Sequence, residues 1–177
     1  MRPLGPIVIT GFMGCGKTAV ARQLAARLGC KVVDLDEAIT QRELRSPAKI
    51  IEDDGEQAFR LIETSALRTA LEDQSVGVIA LGGGAWITET NRDLINQHSG
   101  FAVWLDAPFA VCWERIIVSG ENRPLASSKQ QAKELYDRRR PVYQLANARV
   151  EQGTDINLDD LACQIELEVA KLKPLDV

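Results

Sequence analysis

The run Gly11-Phe-Met-Gly-Cys-Gly-Lys17-Thr18 stands between an apolar stretch, Ile7–Thr10, and a segment with helical spacing, Ala19–Leu28. It satisfies G-x-x-x-x-G-K-[ST] at every fixed position, where a strand should hand over to a helix. Gly11, Gly14 and Gly16 let the backbone turn tightly and aim its N–H groups inward. Lys17 can reach the β- and γ-phosphates of a nucleotide, and the Thr18 hydroxyl can ligate Mg²⁺. The helix start adds its positive dipole end. Gly11, Met13, Gly14, Cys15, Gly16, Lys17 and Thr18 are therefore the expected nucleotide-binding set. The competing reading, a glycine-rich turn with an exposed lysine, does not explain the strand and helix on either side. The loop leaves open whether the nucleotide drives chemistry, motion or signalling.

With 177 residues, 45% hydrophobic and 26% charged, the chain suits one domain with a buried core. No stretch approaches the roughly 18 continuous apolar residues of a membrane span. Met1–Pro6 leads straight into the first strand, so no cleavable signal is expected and a cytoplasmic enzyme is. Cys15, Cys30, Cys112 and Cys163 form no C-x-x-C pair, and His98 is the single histidine, which argues against a zinc site or a disulfide framework. Cys15, beside Lys17 and a helix start, is a candidate for a sensitive thiol, an inert loop position being the plainer reading. A net charge of −4 argues against nonspecific nucleic-acid binding. The expected partners are small molecules, with no nucleic acid and no membrane, and the expected state is a monomer.

Apolar runs recur at Ile7–Thr10, Lys31–Leu35, Val76–Leu81, Phe101–Leu105 and Ala148–Glu151, separated by helical spacing or turn residues. That alternation predicts an α/β fold, a parallel sheet covered by helices. Ala19–Leu28 places Val20, Leu24, Ala25 and Leu28 on one face, with Gly29 as its C-cap. Glu56–Leu71 buries Phe59, Ile62, Ala66, Leu67 and Ala70, and Leu158–Leu172 buries Leu161, Ile165, Val169 and Leu172 before Pro174. Ser46–Asp54 opens on a Ser-Pro turn signal, and Ser119–Gln131 reads as a mobile loop. With no internal repeat or linker, residues 1–177 read as one folding unit.

In an open α/β sheet the carboxyl ends of the strands border the ligand crevice. Asp34 and Asp36 flank Leu35 at the end of the second run, and alternate strand residues share a face. One carboxylate can hold metal-bound water while the other accepts the proton of a substrate hydroxyl; helix N-terminal acids are the alternative. Arg60 lies four residues after Glu56 and three before Glu63, so on a helix both glutamates flank its guanidinium. Such a guanidinium clamps a carboxylate or phosphate, unless it is only part of a solvated ion-pair ladder. Gly82, Gly83 and Gly84 directly follow a strand and allow a ligand close to the backbone, a simple flexible turn being the alternative. Arg123, beside Pro124, can reach a transferring phosphoryl group from a closing lid, an ordinary surface arginine being the competing reading. Arg138, Arg139 and Arg140 are consecutive, so on a helix they cannot all face one pocket.

Together these motifs resemble the shikimate kinase family over about Ile7 to Glu166. They appear in the family order: Gly11–Thr18, Asp34-Leu-Asp36, Gly55-Glu56-Gln-Ala-Phe59-Arg60-Leu-Ile-Glu63, Leu81-Gly-Gly-Gly84, Arg123-Pro124-Leu125 and Arg139-Arg-Pro141-Val-Tyr143. The resemblance implies a three-layer P-loop kinase fold with a five-stranded parallel sheet in the order 2-3-1-4-5. It also implies a substrate-binding subdomain at about 36–63 and a lid at about 116–131. The implied activity is transfer of the ATP γ-phosphoryl group to the 3-hydroxyl of shikimate, in the route to aromatic amino acids. Lys17, Asp36 and Arg123 would be catalytic, Asp36 as base, and Asp34 would join Thr18 at Mg²⁺ through water. Arg60 and Arg139 would grip the shikimate carboxylate, Gly82, Gly83 and Gly84 would face the ring, and Arg115 would stack on adenine.

The chain departs from the family pattern at Leu44-Arg45-Ser46-Pro47, where Pro47 is expected to change the start of a subdomain helix. It departs again at Ala126, where a leucine is common. Two other readings compete. One is a kinase of the same architecture acting on gluconate or a nucleoside monophosphate; the other is a nucleotide-binding module without turnover. The complete set Lys17, Thr18, Asp36 and Arg123 weighs against the second.

Overall fold

The computed structural model describes residues 5–120, 128–153 and 157–171. In chain order its elements are β1 (Ile7–Thr10), α1 (Lys17–Leu28), β2 (Lys31–Asp34), α2 (Leu35–Glu43), α3 (Pro47–Asp54), α4 (Glu56–Glu72) and β3 (Val76–Ala80). A 3-10 turn (Ala85–Ile87) follows, then α5 (Glu89–Gln97), β4 (Phe101–Asp106), α6 (Phe109–Ser119), α7 (Lys129–Tyr143), β5 (Ala148–Glu151) and α8 (Leu158–Ala170).

The strands form one parallel sheet in the order β2-β3-β1-β4-β5, as the family likeness implied. β1 is central: Ile7 lies opposite Val78 of β3 on one side and Phe101 of β4 on the other. Every residue of β1, β3 and β4 is buried. Parallel strands need crossover helices, and those helices cover both faces, which is why these strands read as continuous apolar runs. The order reverses around β1, and the loop that follows β1 lies at that switch point.

The helices end where the residue chemistry says they should. Gly29 takes a left-handed backbone, φ 60°, and its N–H bonds the Ala25 and Ala26 carbonyls to close α1. α1 buries Val20, Leu24 and Ala25 as expected, with Ala21 joining them and Leu28 only partly covered. In α4 the stripe takes in Glu63 in place of Ile62, which is half-buried. α8 buries Leu161 and Ile165 with Ala162; Val169 is only partly buried, and Leu172 lies outside the described residues.

Three expectations are corrected. β2 stops at Asp34, because the Asp34 carboxylate accepts the Asp36 and Glu37 N–H groups and starts α2 at once. Ser46–Asp54 is no turn: Ser46 caps α3 by accepting the Lys49 N–H, and Pro47 occupies the first helical position, where its missing N–H does no harm. Ser119 belongs to α6, and Ser128 caps α7 ahead of Lys129–Gln131, so both ends of the expected loop are helix-bound. The middle of that stretch, 121–127, lies outside the described residues.

Candidate active site

The phosphate loop joins β1 to α1 with glycine where nothing else fits. At Gly11 (φ 144°) a Cβ would lie 2.6 Å from the Leu105 carbonyl oxygen, and at Gly14 (φ 76°) 2.5 Å from that of Cys112. Lys17 folds back over the loop, its Nζ donating to the Gly11 and Phe12 carbonyls at 3.0 Å each. The amine is thereby held at the loop rather than out in solvent. Cys15 is fully buried, its sulfur packed against Gly11, which favours the plainer reading of an inert loop position. Met13 is buried too, and it faces the acceptor side: a Cβ on Gly83 would lie 3.4 Å from the Met13 nitrogen. Arg115 reaches the loop from α6, Nη1 donating to the Gly14 carbonyl at 3.1 Å.

The helix-capping reading of Asp34 holds, and its second carboxylate oxygen turns to the phosphate loop. Oδ1 caps α2, and Oδ2 accepts from the Thr18 hydroxyl at 2.5 Å. That places two hard oxygen donors, the type Mg²⁺ prefers, together at the helical end of the phosphate loop. Among the described residues, three or more His, Cys, Asp or Glu nowhere gather to hold a metal. A nucleotide-borne Mg²⁺, with phosphates and water supplying the other ligands, suits such a sparse donor set. Asp36 lies in the first turn of α2 instead of sharing a strand face with Asp34, and its carboxylate packs on the glycine turn after β3.

That turn is where the remaining candidates meet. A Cβ on Gly82 would lie 2.6 Å from Asp36 Oδ1 and 3.0 Å from Glu63 Oε1, and one on Gly84 2.5 Å from Arg60 Nη2. Arg139, buried on α7, donates to the Gly83 carbonyl at 3.1 Å, and the Tyr143 hydroxyl donates to the same oxygen at 2.6 Å. Arg60 is gripped as its spacing predicted, by Glu63 Oε2 at 2.8 Å and Glu56 Oε1 at 2.9 Å. Two guanidinium groups and one aspartate thus converge on Gly82–Gly84, beside the phosphate loop. The neighbours of Arg139 do not: Arg138 is exposed, and Arg140 donates two hydrogen bonds to the Asp106 carboxylate at 2.6 and 2.9 Å.

Burial sets the charge states. Glu63, 1% exposed, is pushed up to about 7 by loss of water, with the Asp36 carboxylate adding to the rise and Arg60 opposing it. Burial works against the charge of Arg60, but Glu63 and Glu56 outweigh it and leave the group above its usual value. Arg139 is shifted downward by burial, and the nearby Arg60 adds to that shift. A guanidinium starts so high that it stays charged.

The sequence reading passed over several residues that the structure places at the site. The Gln152 side chain is buried, neither of its amide atoms has a hydrogen-bond partner among the described residues, and its Nε2 would lie 3.8 Å from a Cβ on Gly16. It follows β5 directly, so the rule that ligands bind at strand carboxyl ends would have pointed to it. Asp106, at the end of β4, pairs with Arg140 and Arg149 and, through its carbonyl, accepts the Gln152 N–H at 3.0 Å. Arg123 lies outside the described residues.

A parallel sheet in this order, a phosphate loop at its switch point and a cluster of arginines and carboxylates one strand away define a P-loop small-molecule kinase. The shikimate kinase profile matches residues 13–169. The chain is 35% identical over 170 residues to a shikimate kinase of Ruegeria pomeroyi, covering 94% of this chain and 86% of that one. It is 38% identical over 150 residues to one of Cereibacter sphaeroides, covering 83% and 74%. The structure of shikimate kinase from Acinetobacter baumannii in complex with shikimate is similar at TM-score 0.85 and 33% identity, over 97% of each chain. A gluconokinase from Sinorhizobium meliloti, TM-score 0.69 at 16% identity over 97% and 95%, shares the fold. The chain belongs to the shikimate kinase family.

Proposed function

We propose that this chain transfers the γ-phosphoryl group of ATP to the 3-hydroxyl of shikimate, releasing ADP and shikimate 3-phosphate. The observation that carries the reading is the meeting of Arg60, Arg139 and Asp36 at Gly82–Gly84. Shikimate carries one carboxylate, which suits two guanidinium groups, and ring hydroxyls, which suit a carboxylate and backbone donors. Asp36 accepts the proton of the 3-hydroxyl as that oxygen bonds to the γ-phosphorus and the bond from phosphorus to the ADP oxygen breaks. The Gly83 carbonyl is already taken by Arg139 and Tyr143, so its N–H is what the turn offers to the ring.

Lys17 lies within reach of the β- and γ-phosphates, and the loop N–H groups and the start of α1 hold their negative charge. Thr18, with Asp34 through water, would hold Mg²⁺, whose contribution is to neutralise the phosphate oxygens during transfer. Gln152 and Arg115 flank Gly16 and are assigned to the nucleoside end, the amide to hydrogen-bond the base and the guanidinium to stack on it. Arg123 is assigned its cationic role at the phosphates by the family likeness alone. The reaction needs positioning and charge neutralisation, with no covalent enzyme intermediate.

The test is ADP release with MgATP and, in turn, shikimate, gluconate or AMP. Turnover with shikimate and background rates with the other two is the expected result; equal rates with all three would discard the assignment.

A further inference from the structure

Among the described residues, the acid-binding end of the site carries an excess of negative charge in alkaline solution before any substrate arrives. Arg60 and Arg139 are its cations; Glu56, Glu63 and Asp36 are its anions. Both arms of the Arg60 guanidinium are occupied, Nη1 by Glu63 and Nη2 by Glu56. A substrate carboxylate adds a further negative charge to a crowded and partly desolvated place, where repulsion between like charges is strong.

The two glutamates respond differently because they are buried differently. The Glu56 side chain is 49% exposed, so it can swing into water, stay ionised and free Nη2 for the substrate. Glu63, with a side chain 1% exposed, has nowhere to go. Gly82 and Arg60, on its own helix, lie against it, and Asp36 on α2 and Arg139 on α7 act on it through their charges. An immobile carboxylate that gains an anionic neighbour lowers its energy by taking a proton, and as a neutral acid it still accepts the Arg60 hydrogen bond.

Resting on the acceptor reading above, we infer that Glu63 takes up one proton from solvent when the acid substrate binds, so that substrate affinity falls as the solution becomes alkaline. The group already titrates at about 7 without substrate. Uptake is therefore slight in acid, where Glu63 is protonated beforehand, and grows above neutrality. The free acid's own carboxylate is ionised throughout this range, and His98, the single histidine, lies beside Gly5 at the amino end of β1, the opposite end of the sheet from the site. Neither accounts for a proton taken up there.

Calorimetric titration of the protein with shikimate in Hepes and in Tris reads the proton count directly, from the dependence of the heat on buffer ionisation enthalpy. At about pH 8 the expected uptake exceeds about half a proton per site, it approaches zero at about pH 5.5, and Kd rises roughly fivefold from pH 7 to 8. Glu63→Gln is expected to abolish the uptake and flatten the pH dependence of Kd. An infrared difference spectrum of the unmodified protein gives a second readout. Shikimate should bring up a protonated-carboxyl band that shifts with ¹³C-glutamate and not with ¹³C-aspartate labelling. Binding without proton uptake, uptake retained in Glu63→Gln, or a band that follows aspartate would each overturn the inference and leave the acceptor reading standing. A complete absence of binding would overturn both.

Discussion

Gly84 shows how one missing side chain makes room for the Arg60 guanidinium. Its backbone, φ −112°, suits any residue, so glycine is there for space: a Cβ would lie 2.5 to 2.8 Å from three atoms of the Arg60 guanidinium. Because Arg60 is a flexible side chain, Gly84→Ala should fold normally and push the guanidinium aside. The expected result is a KM for shikimate raised about tenfold with kcat changed less than about threefold, read from steady-state kinetics at saturating MgATP. An unchanged KM would mean that Arg60 does not hold the acid. The grip of Glu56 and Glu63 on Arg60 was legible from spacing alone, since positions three and four apart meet on any helix. The choice among Arg138, Arg139 and Arg140 was not. It depends on a carbonyl 56 positions away at Gly83 and on a carboxylate 34 positions away at Asp106.

At the scale of elements, α3 carries the departure from the family pattern. Ser-Pro is both a turn signal and the pair that starts a helix, serine as cap and proline at the first helical position. Sequence pattern alone did not separate the two, because what holds α3 as a helix is the burial of Ile50 and its packing against α4. Ser46→Ala should cost about 1 kcal/mol by removing the acceptor for the Lys49 N–H. Urea unfolding would show the lower midpoint, and hydrogen exchange should rise first in α3; protection unchanged there would deny Ser46 the capping role. The same ambiguity hid the end of β2, where Asp34 serves the sheet, α2 and the phosphate loop together.

For the whole molecule, the site is built at a cost in stability. Glu63 titrates at about 7 in the folded state against an ordinary 4.5, so the folded protein holds its proton more tightly than the unfolded chain does. Its contribution to stability is therefore fully present below about pH 4.5, falls as pH rises towards 7 and is level beyond. Relative to Glu63→Gln, the wild-type protein should lose on the order of 3 kcal/mol between those limits, measured by urea unfolding of both proteins at about pH 4.5 and 8. A constant difference between the two proteins would show that Glu63 titrates as an ordinary carboxyl. Such a liability is expected where binding chemistry, rather than packing, places a charge inside.

The sequence by itself determined what local chemistry controls: the strand, glycine loop and helix around Lys17, the five apolar runs, the cap at Gly29 and the paired glutamates of Arg60. Those features depend on residues a few positions apart, whose geometry the backbone dictates. Only the tertiary structure decided which arginine turns inward, that Glu63 lies dry beside Asp36, and that Gln152 and Asp106 join β4 and β5 to the site. Burial and charge in those places come from segments brought together across the sheet, and contacts between distant segments leave no period or spacing in the chain.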